Sequence, residues 1–253
     1  MLAIRSLLFN LAFYVFLIAL MIAGLPAFFM TRFAVYRLAS AWGKASLWLL
    51  DKMCGLKVEF RGVENIPAGG FVIAPKHQSI WETFALLSFF PQFSFVLKRE
   101  LSWIPLFGWY TVKAEQIAID RAAGGNALTQ ITRRTADYVA QGRQVFLFPE
   151  GTRRPAGAPP SYKFGIAHVC CETGARCLPV ALNSGLFWAR RSFLRRPGTV
   201  LVEFLPVLEP GKDKVAFLAR LRDALETATN RLLSEAVAAQ PTLASVLARR
   251  AAE

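Results

Sequence analysis

Between Arg5 and Arg32 the chain carries 26 consecutive residues without a charge, from Ser6 to Thr31. As a helix rising about 1.5 Å per residue, that run is long enough to cross the roughly 30 Å hydrocarbon core of a bilayer. A cleaved signal peptide has an apolar stretch of about 7–15 residues that ends at small residues. Here the apolar character continues through Leu25, Pro26, Phe28 and Phe29, so the run reads as a retained membrane-anchoring helix. Arg32, Arg37 and Lys44 follow with no acid before Asp51. That excess of cations sets the rest of the chain on the cytoplasmic face, the inner membrane in a bacterium.

From Phe33 to Leu50 aromatic and aliphatic residues (Phe33, Tyr36, Trp42, Trp48, Leu49) are interrupted by Arg37 and Lys44. Two readings fit: a helix lying in the membrane interface, where Trp and Tyr sit at headgroup level and Lys and Arg snorkel, or a core helix packed on the domain that follows. The whole chain is 54% hydrophobic and 19% charged, yet its net charge is +13. Disordered basic tails are poor in apolar residues, so an unfolded nucleic-acid arm is excluded. No aromatic-basic recognition module accompanies the charge, and nucleic acid is not an expected partner. High positive charge on a hydrophobic chain points to anionic membrane lipids. Four unevenly spaced cysteines (Cys54, Cys170, Cys171, Cys177) suit a reducing compartment rather than a disulfide framework.

Beyond residue 55 strand and helix signals alternate. Apolar, β-branched or aromatic runs occur at Lys57–Phe60, Phe71–Ala74, Phe93–Leu97, Gln116–Ile119, Val145–Phe148, Leu178–Leu182 and Thr199–Phe204, with helix-length segments at Ser79–Phe90, Asn126–Ala140 and Phe164–Thr173. Between Lys212 and Gln240, Val215, Leu218, Leu221, Leu225 and Leu232 recur at helical spacing. The pattern predicts an α/β fold: a mixed, largely buried sheet flanked by helices. Membrane-anchoring helices occupy 1–55, the α/β domain 56–240, and a frayed tail 241–253 after Pro241.

Direct search excludes several chemistries. There is no G-x-S-x-G, no phosphate loop, and no zinc-like cysteine spacing. Of the two histidines, His168 sits on an apolar helix and reads as a core residue. His77 follows the strand Phe71–Ala74 in Pro75-Lys76-His77-Gln78-Ser79-Ile80-Trp81-Glu82, at the end of a buried strand where α/β proteins place reactive groups. Ser79 and Glu82 fit a capping box, with Ser79 as N-cap. A carboxylate held there can accept from one His77 ring nitrogen, leaving the other free to act as a general base.

His77-x4-Glu82 resembles the H-x4-D motif of the glycerolipid acyltransferase superfamily, especially the 1-acyl-sn-glycerol-3-phosphate acyltransferases. Further blocks follow in that family's order: Lys98-Arg99-Glu100-Leu101-Ser102-Trp103-Ile104-Pro105, Ile117-Ala118-Ile119-Asp120-Arg121, Phe148-Pro149-Glu150-Gly151-Thr152-Arg153, and Leu178-Pro179-Val180. The resemblance implies His77 and Glu82 as the catalytic pair. It implies Lys98, Arg121, Glu150, Gly151, Thr152 and Arg153 as substrate-binding residues. Arginine suits a phosphate because its guanidinium donates paired hydrogen bonds, and Glu150 is expected to hold a glycerol hydroxyl or to pair with the arginines. The implied reaction transfers an acyl group from acyl-CoA or acyl carrier protein to the 2-hydroxyl of lysophosphatidic acid, giving phosphatidic acid. It needs no cofactor and no metal. Two departures stand out: Glu82 is one methylene longer than the usual aspartate, and Glu115 occupies a position where the family often has glycine. They leave room for another lysolipid acceptor, such as lyso-ornithine lipid.

Overall fold

The seven apolar runs become seven strands of one sheet. In the computed structural model, which describes residues 1–120 and 124–251, they are β1 (Leu56–Arg61), β2 (Phe71–Pro75), β3 (Phe93–Lys98), β4 (Ile117–Ile119), β5 (Gln144–Phe146), β6 (Cys177–Leu182) and β7 (Gly198–Phe204). Their order across the sheet is β1-β7-β6-β2-β5-β3-β4. Neighbours run parallel except β6 and β7, which are antiparallel. The sheet is therefore mixed, as its sequence pattern predicts. Every residue of β2 and β6 is buried, which accounts for their continuous rather than alternating apolar character.

Alternation along β2 divides the core into two layers, because successive side chains of a strand point to opposite faces. Val72 and Ala74 pack with residues of α6 (Gly165–Thr173) and α7 (Lys214–Ala239), among them Ala167, Cys170, Leu221 and Leu225. Asp213 caps α7 by accepting from the Val215 and Ala216 N–H groups. Phe71 and Ile73 face the other way, into a cluster that includes Phe9, Phe13, Val35 and Tyr36. Those four belong to α1 (Leu2–Ala23) and α2 (Arg32–Leu49). The N-terminal helices thus form the second layer of the sandwich, and one core runs across the boundary expected near residue 55.

Helix α1 is fastened along its length. Phe9 lies edge-on to Trp188 at 5.7 Å. Phe13 packs against Trp42 (5.3 Å), Phe84 (5.5 Å) and Trp188 (5.7 Å). Arg195 stacks over Trp188 at 3.7 Å, donates to Asn10 Oδ1 at 2.6 Å, and gives its backbone N–H to Ser6 Oγ at 2.8 Å. Burial pushes this guanidinium down to about 10. The Tyr110 hydroxyl donates to the Met21 carbonyl near the other end. The opposite face of α1 exposes Ile4, Leu7, Leu8, Leu11, Val15 and Ile18. α2 packs on the domain, with Val35 and Tyr36 buried, while Phe33 and Trp48 are exposed.

Three elements depart from the sequence pattern. The helix expected over Ser79–Phe90 is a single turn, α3 (Glu82–Ala85), followed by a 3-10 turn at Leu87–Phe89. α2 packs closely there: a Cβ on Gly43 would lie 2.4 Å from the Phe84 carbonyl oxygen, and the Ser40 hydroxyl donates to the Leu87 carbonyl. A short helix, α4 (Phe107–Lys113), follows the Lys98–Pro105 block, and α5 (Gly125–Ala140) matches its expectation within a residue. Where a frayed tail is expected, the chain forms α8 (Leu243–Ala251), with Leu243 and Val246 buried. Its Leu247 abuts Gly157, in the loop that follows the Phe148–Arg153 block.

Because Phe13 is 1% exposed and touches five other aromatic rings, those of Phe9, Tyr14, Trp42, Phe84 and Trp188, Phe13→Ala is expected to destabilise the protein by about 3–5 kcal/mol. Thermal unfolding in detergent checks this. A change below about 1 kcal/mol, typical of surface substitutions and small losses, would show that α1 does not share the domain core.

Candidate active site

Strand β2 ends at Pro75, and the chain then turns before α3 begins. His77 lies in that turn and Glu82 opens the helix. Five residues on one continuous helix would set the two side chains about 140° apart, so the turn is what lets them meet. They do: His77 Nδ1 is 2.9 Å from Glu82 Oε1. The same oxygen accepts the backbone N–H groups of Gln78 (2.8 Å) and Ser79 (2.7 Å). Glu82 therefore reaches back to Ser79 as a capping-box acid does. Ser79 does not complete the box in the usual way, since its hydroxyl accepts from Trp81 N–H, two residues on. Glu82 is fully buried, and the His77 side chain remains 15% exposed. With Nδ1 engaged, Nε2 is the ring nitrogen left for chemistry. The imidazole stacks on Phe148, ring centroids 3.9 Å apart.

The second oxygen of Glu82 is held from across the sheet. Ser184 Oγ donates to Glu82 Oε2 at 2.9 Å, from a 3-10 turn (Ser184–Leu186) just past β6. In the same turn Gly185 N–H donates to the Gln78 side chain at 2.9 Å. Gly185 is closely packed: a Cβ there would lie 3.1 Å from Gln78 and 3.2 Å from Ala156. Sequence reading missed Ser184 and Gln78. The only signal available was position: β2 and β6 are neighbours, and both turns sit beyond adjacent strand ends.

The Phe148–Arg154 segment grips the backbone of His77. Glu150 Oε2 accepts the His77 N–H at 3.0 Å, and the His77 carbonyl accepts from Arg154 N–H at 2.7 Å. Glu150 is 1% exposed, and its other oxygen accepts from Lys76 Nζ at 2.8 Å. The cation it pairs with is thus Lys76, not the neighbouring arginines that were expected, and its carboxylate is closed off from solvent. Lys76 also donates to Glu226 of α7 at 2.7 Å. Tyr162 donates to Glu226 as well. Burial, and then that carboxylate, push the Tyr162 hydroxyl far above the usual phenol range.

The remaining expected residues lie further out. Gly151 takes a left-handed conformation (φ +67°) that closes the turn after Glu150, with its N–H donating to the Phe148 carbonyl. Thr152 is exposed and Arg153 half-buried. The Arg153 carbonyl accepts from Arg190. Lys98, at the end of β3, is exposed and paired with Glu100 at 2.8 Å, which holds that carboxyl below its ordinary value. Arg121 lies outside the described residues. Glu115 explains its own departure from the family pattern: its φ of +52° is one that favours glycine. Its carboxylate accepts from the fully buried Arg143 (2.7 Å) and from Arg32 of α2 (3.1 Å).

Residues 57–183 match the Acyltransferase family. The chain is 36% identical over 194 residues to the 1-acyl-sn-glycerol-3-phosphate acyltransferase of Pseudomonas aeruginosa, covering 77% of this chain and 76% of that protein. It is 31% identical over 175 residues to the chloroplast 1-acyl-sn-glycerol-3-phosphate acyltransferase of Arabidopsis thaliana, covering 66% of this chain and 47% of that longer protein. In fold it is similar to the crystal structure of the 1-acyl-sn-glycerophosphate acyltransferase PlsC of Thermotoga maritima. That match has a TM-score of 0.77 and 24% identity, covering 92% of this chain and 98% of that one.

Removing the Ser184 hydroxyl strands a buried carboxylate oxygen. Ser184→Ala is therefore expected to cost about 1–3 kcal/mol of stability, measurable by urea unfolding. No loss would mean that Glu82 does not depend on this donor.

Proposed function

Since this chain belongs to the acyltransferase family, we propose that it transfers a fatty acyl group from a thioester to the 2-hydroxyl of 1-acyl-glycerol-3-phosphate, forming phosphatidic acid for phospholipid synthesis. The observation that carries this reading is the His77–Glu82 contact, with Nε2 left unencumbered. In the proposed step Nε2 takes the acceptor's hydroxyl proton as the oxygen attacks the thioester carbonyl. The C–O bond forms, the C–S bond breaks, and the imidazolium returns its proton to the departing thiolate. Glu82 keeps the ring oriented and stabilises the imidazolium while it exists. Direct attack on the thioester requires no covalent acyl-enzyme.

Acceptor binding is assigned to Arg121 and Arg153, with Lys98 as a further cation and Gly151 and Thr152 shaping the turn that leads into Arg153. Paired guanidinium hydrogen bonds suit a phosphomonoester, and an ammonium adds a point charge. For Glu150 the hydrogen bonds to Lys76 and to the His77 backbone support a bracing role. The donor is acyl-CoA or acyl carrier protein. The exposed apolar face of α1 supports membrane association. A helix fastened along its length can enter hydrocarbon deeply only if the domain surface beside it follows, so we place α1 in the interface with its free face in the lipid. The exposed Arg5, Arg190 and Arg191 suit anionic headgroups, and the domain faces the cytoplasm.

His77→Ala is expected to reduce acyl transfer by at least about 10³-fold, the upper part of the range for losing a general base. The variant should still bind vesicles containing lysophosphatidate. Equal transfer by wild type and variant would sink the mechanism. Lysophosphatidate, glycerol 3-phosphate and lyso-ornithine lipid offered in parallel test the acceptor, and preference for either of the last two would overturn the assignment.

A further inference from the structure

The buried cluster around Lys76 has no part in the proton transfer just described, yet it adjoins the residue that carries it. Lys76 precedes His77 directly, and its side chain is 6% exposed. Its ammonium lies between two carboxylates, Glu150 Oε1 at 2.8 Å and Glu226 Oε1 at 2.7 Å. The Tyr162 hydroxyl closes the group, 2.7 Å from the same Glu226 oxygen. Four segments converge here: the turn after β2, the Phe148–Arg154 segment, the loop before α6, and the middle of α7.

Ion pairs this deeply buried are weak sources of stability, since desolvation offsets most of the attraction and apolar side chains of similar size serve as well. What they do supply is fixed geometry, and here the geometry leads to one place. Glu150 divides its two oxygens between Lys76 and the His77 backbone N–H. Without a second carboxylate on the lysine, the ammonium has only Glu150 and a neutral hydroxyl 3.4 Å away, and it is free to pull Glu150 off the His77 peptide. Glu226 gives the ammonium a second carboxylate to share its hydrogen bonds with, at 2.7 Å.

We propose that Glu226 is a positioning residue for the transfer reaction: through Lys76 it holds Glu150 on the His77 backbone, and so sets the imidazole against Glu82. This rests on the reading of His77 as the base. It assigns a role to α7 that helix packing alone does not require, and it extends the site beyond the strand-end turns.

The test compares full-length Glu226→Ala, Glu226→Gln, Glu235→Gln and His77→Ala proteins in steady-state transfer from acyl-CoA to lysophosphatidate. Glu235 is the control, because it also ties α7 to the sheet, through Arg61 at 2.6 Å, but at the protein surface and away from His77. A positioning role predicts that Glu226→Ala lowers kcat about thirtyfold with acceptor KM within about twofold. Glu226→Gln keeps an oxygen for Lys76 and Tyr162 and should recover only in part, to a kcat about fivefold below wild type. Glu235→Gln should change neither constant. Should Glu226→Ala fail to fold, the near-isosteric Gln variant still has to show the kcat loss at unchanged KM. Wild-type kcat in the Glu226 variants overturns the inference, as does an equal loss in Glu235→Gln, which would mean general loosening of α7. A rise in acceptor KM at constant kcat also overturns it, making Glu150 a substrate contact instead. If His77→Ala retains transfer, the base assignment falls and the inference with it; if only His77→Ala is impaired, the inference falls alone.

Discussion

A fully buried carboxylate is costly unless its oxygens are occupied, and the environment of Glu82 is built around meeting that demand. One oxygen takes three N–H donors, from the His77 ring and from the Gln78 and Ser79 backbones; the other takes the Ser184 hydroxyl. Two of these donors are the peptide groups of the turn itself, so the turn cannot relax without exposing the charge. The glutamate thereby fixes the path of the chain and the tautomer of the histidine together, the proton on Nδ1 being held by the carboxylate. Its extra methylene relative to aspartate is what lets one side chain span from the start of α3 back to the strand end.

The sheet supplies the rigidity this arrangement requires. β2 is flanked on both sides by parallel partners, β5 and β6, and its alternating residues are locked into two separate cores. A strand covered on both faces and paired on both edges has little freedom to shift. The turns at adjacent strand ends therefore keep a constant separation, and the Ser184 hydroxyl can be aimed at a carboxylate 102 residues earlier in the chain.

Local chemistry was legible in the sequence where neighbouring residues carry it. β-branched and aromatic runs marked all seven strands, and the sequence Ser79–Glu82 announced that an acid would reach back over a turn. Features decided by distant partners were not legible. The helix at Ser79 shrinks to one turn because α2 presses against Phe84 and takes the Leu87 carbonyl, contacts that span more than forty residues. The segment after Pro241 reads as a tail in isolation and folds as α8 because Leu243 and Val246 find a surface to cover. Lys76 and Glu150 were both visible as charged residues in motif blocks. Their pairing was not, since it joins residues 74 apart in sequence, and its second carboxylate, Glu226, looks like one of many polar residues on the outer side of an amphipathic helix.

The aromatic layer joins the N-terminal apolar helices to the turn that carries His77 and Glu82. Trp81 immediately precedes Glu82, and Phe84 follows it by two residues; Phe84 in turn packs on Trp81, Phe13 and Trp42. α1 and α2 thus bear directly on the segment that carries Glu82. An acceptor with its chain in the membrane must present its hydroxyl at a depth set by the bilayer. A base mounted on an independent domain would meet that depth only through a flexible linker, whose freedom would have to be lost at each encounter. On the proposed reading, building the apolar helices into the same core as the turn would fix the height of His77 relative to the lipid surface before any substrate arrives. The inward face of the 26-residue uncharged run is therefore part of the scaffold behind the His77–Glu82 turn, which in the proposed reaction would hold the base in register with a membrane-bound hydroxyl.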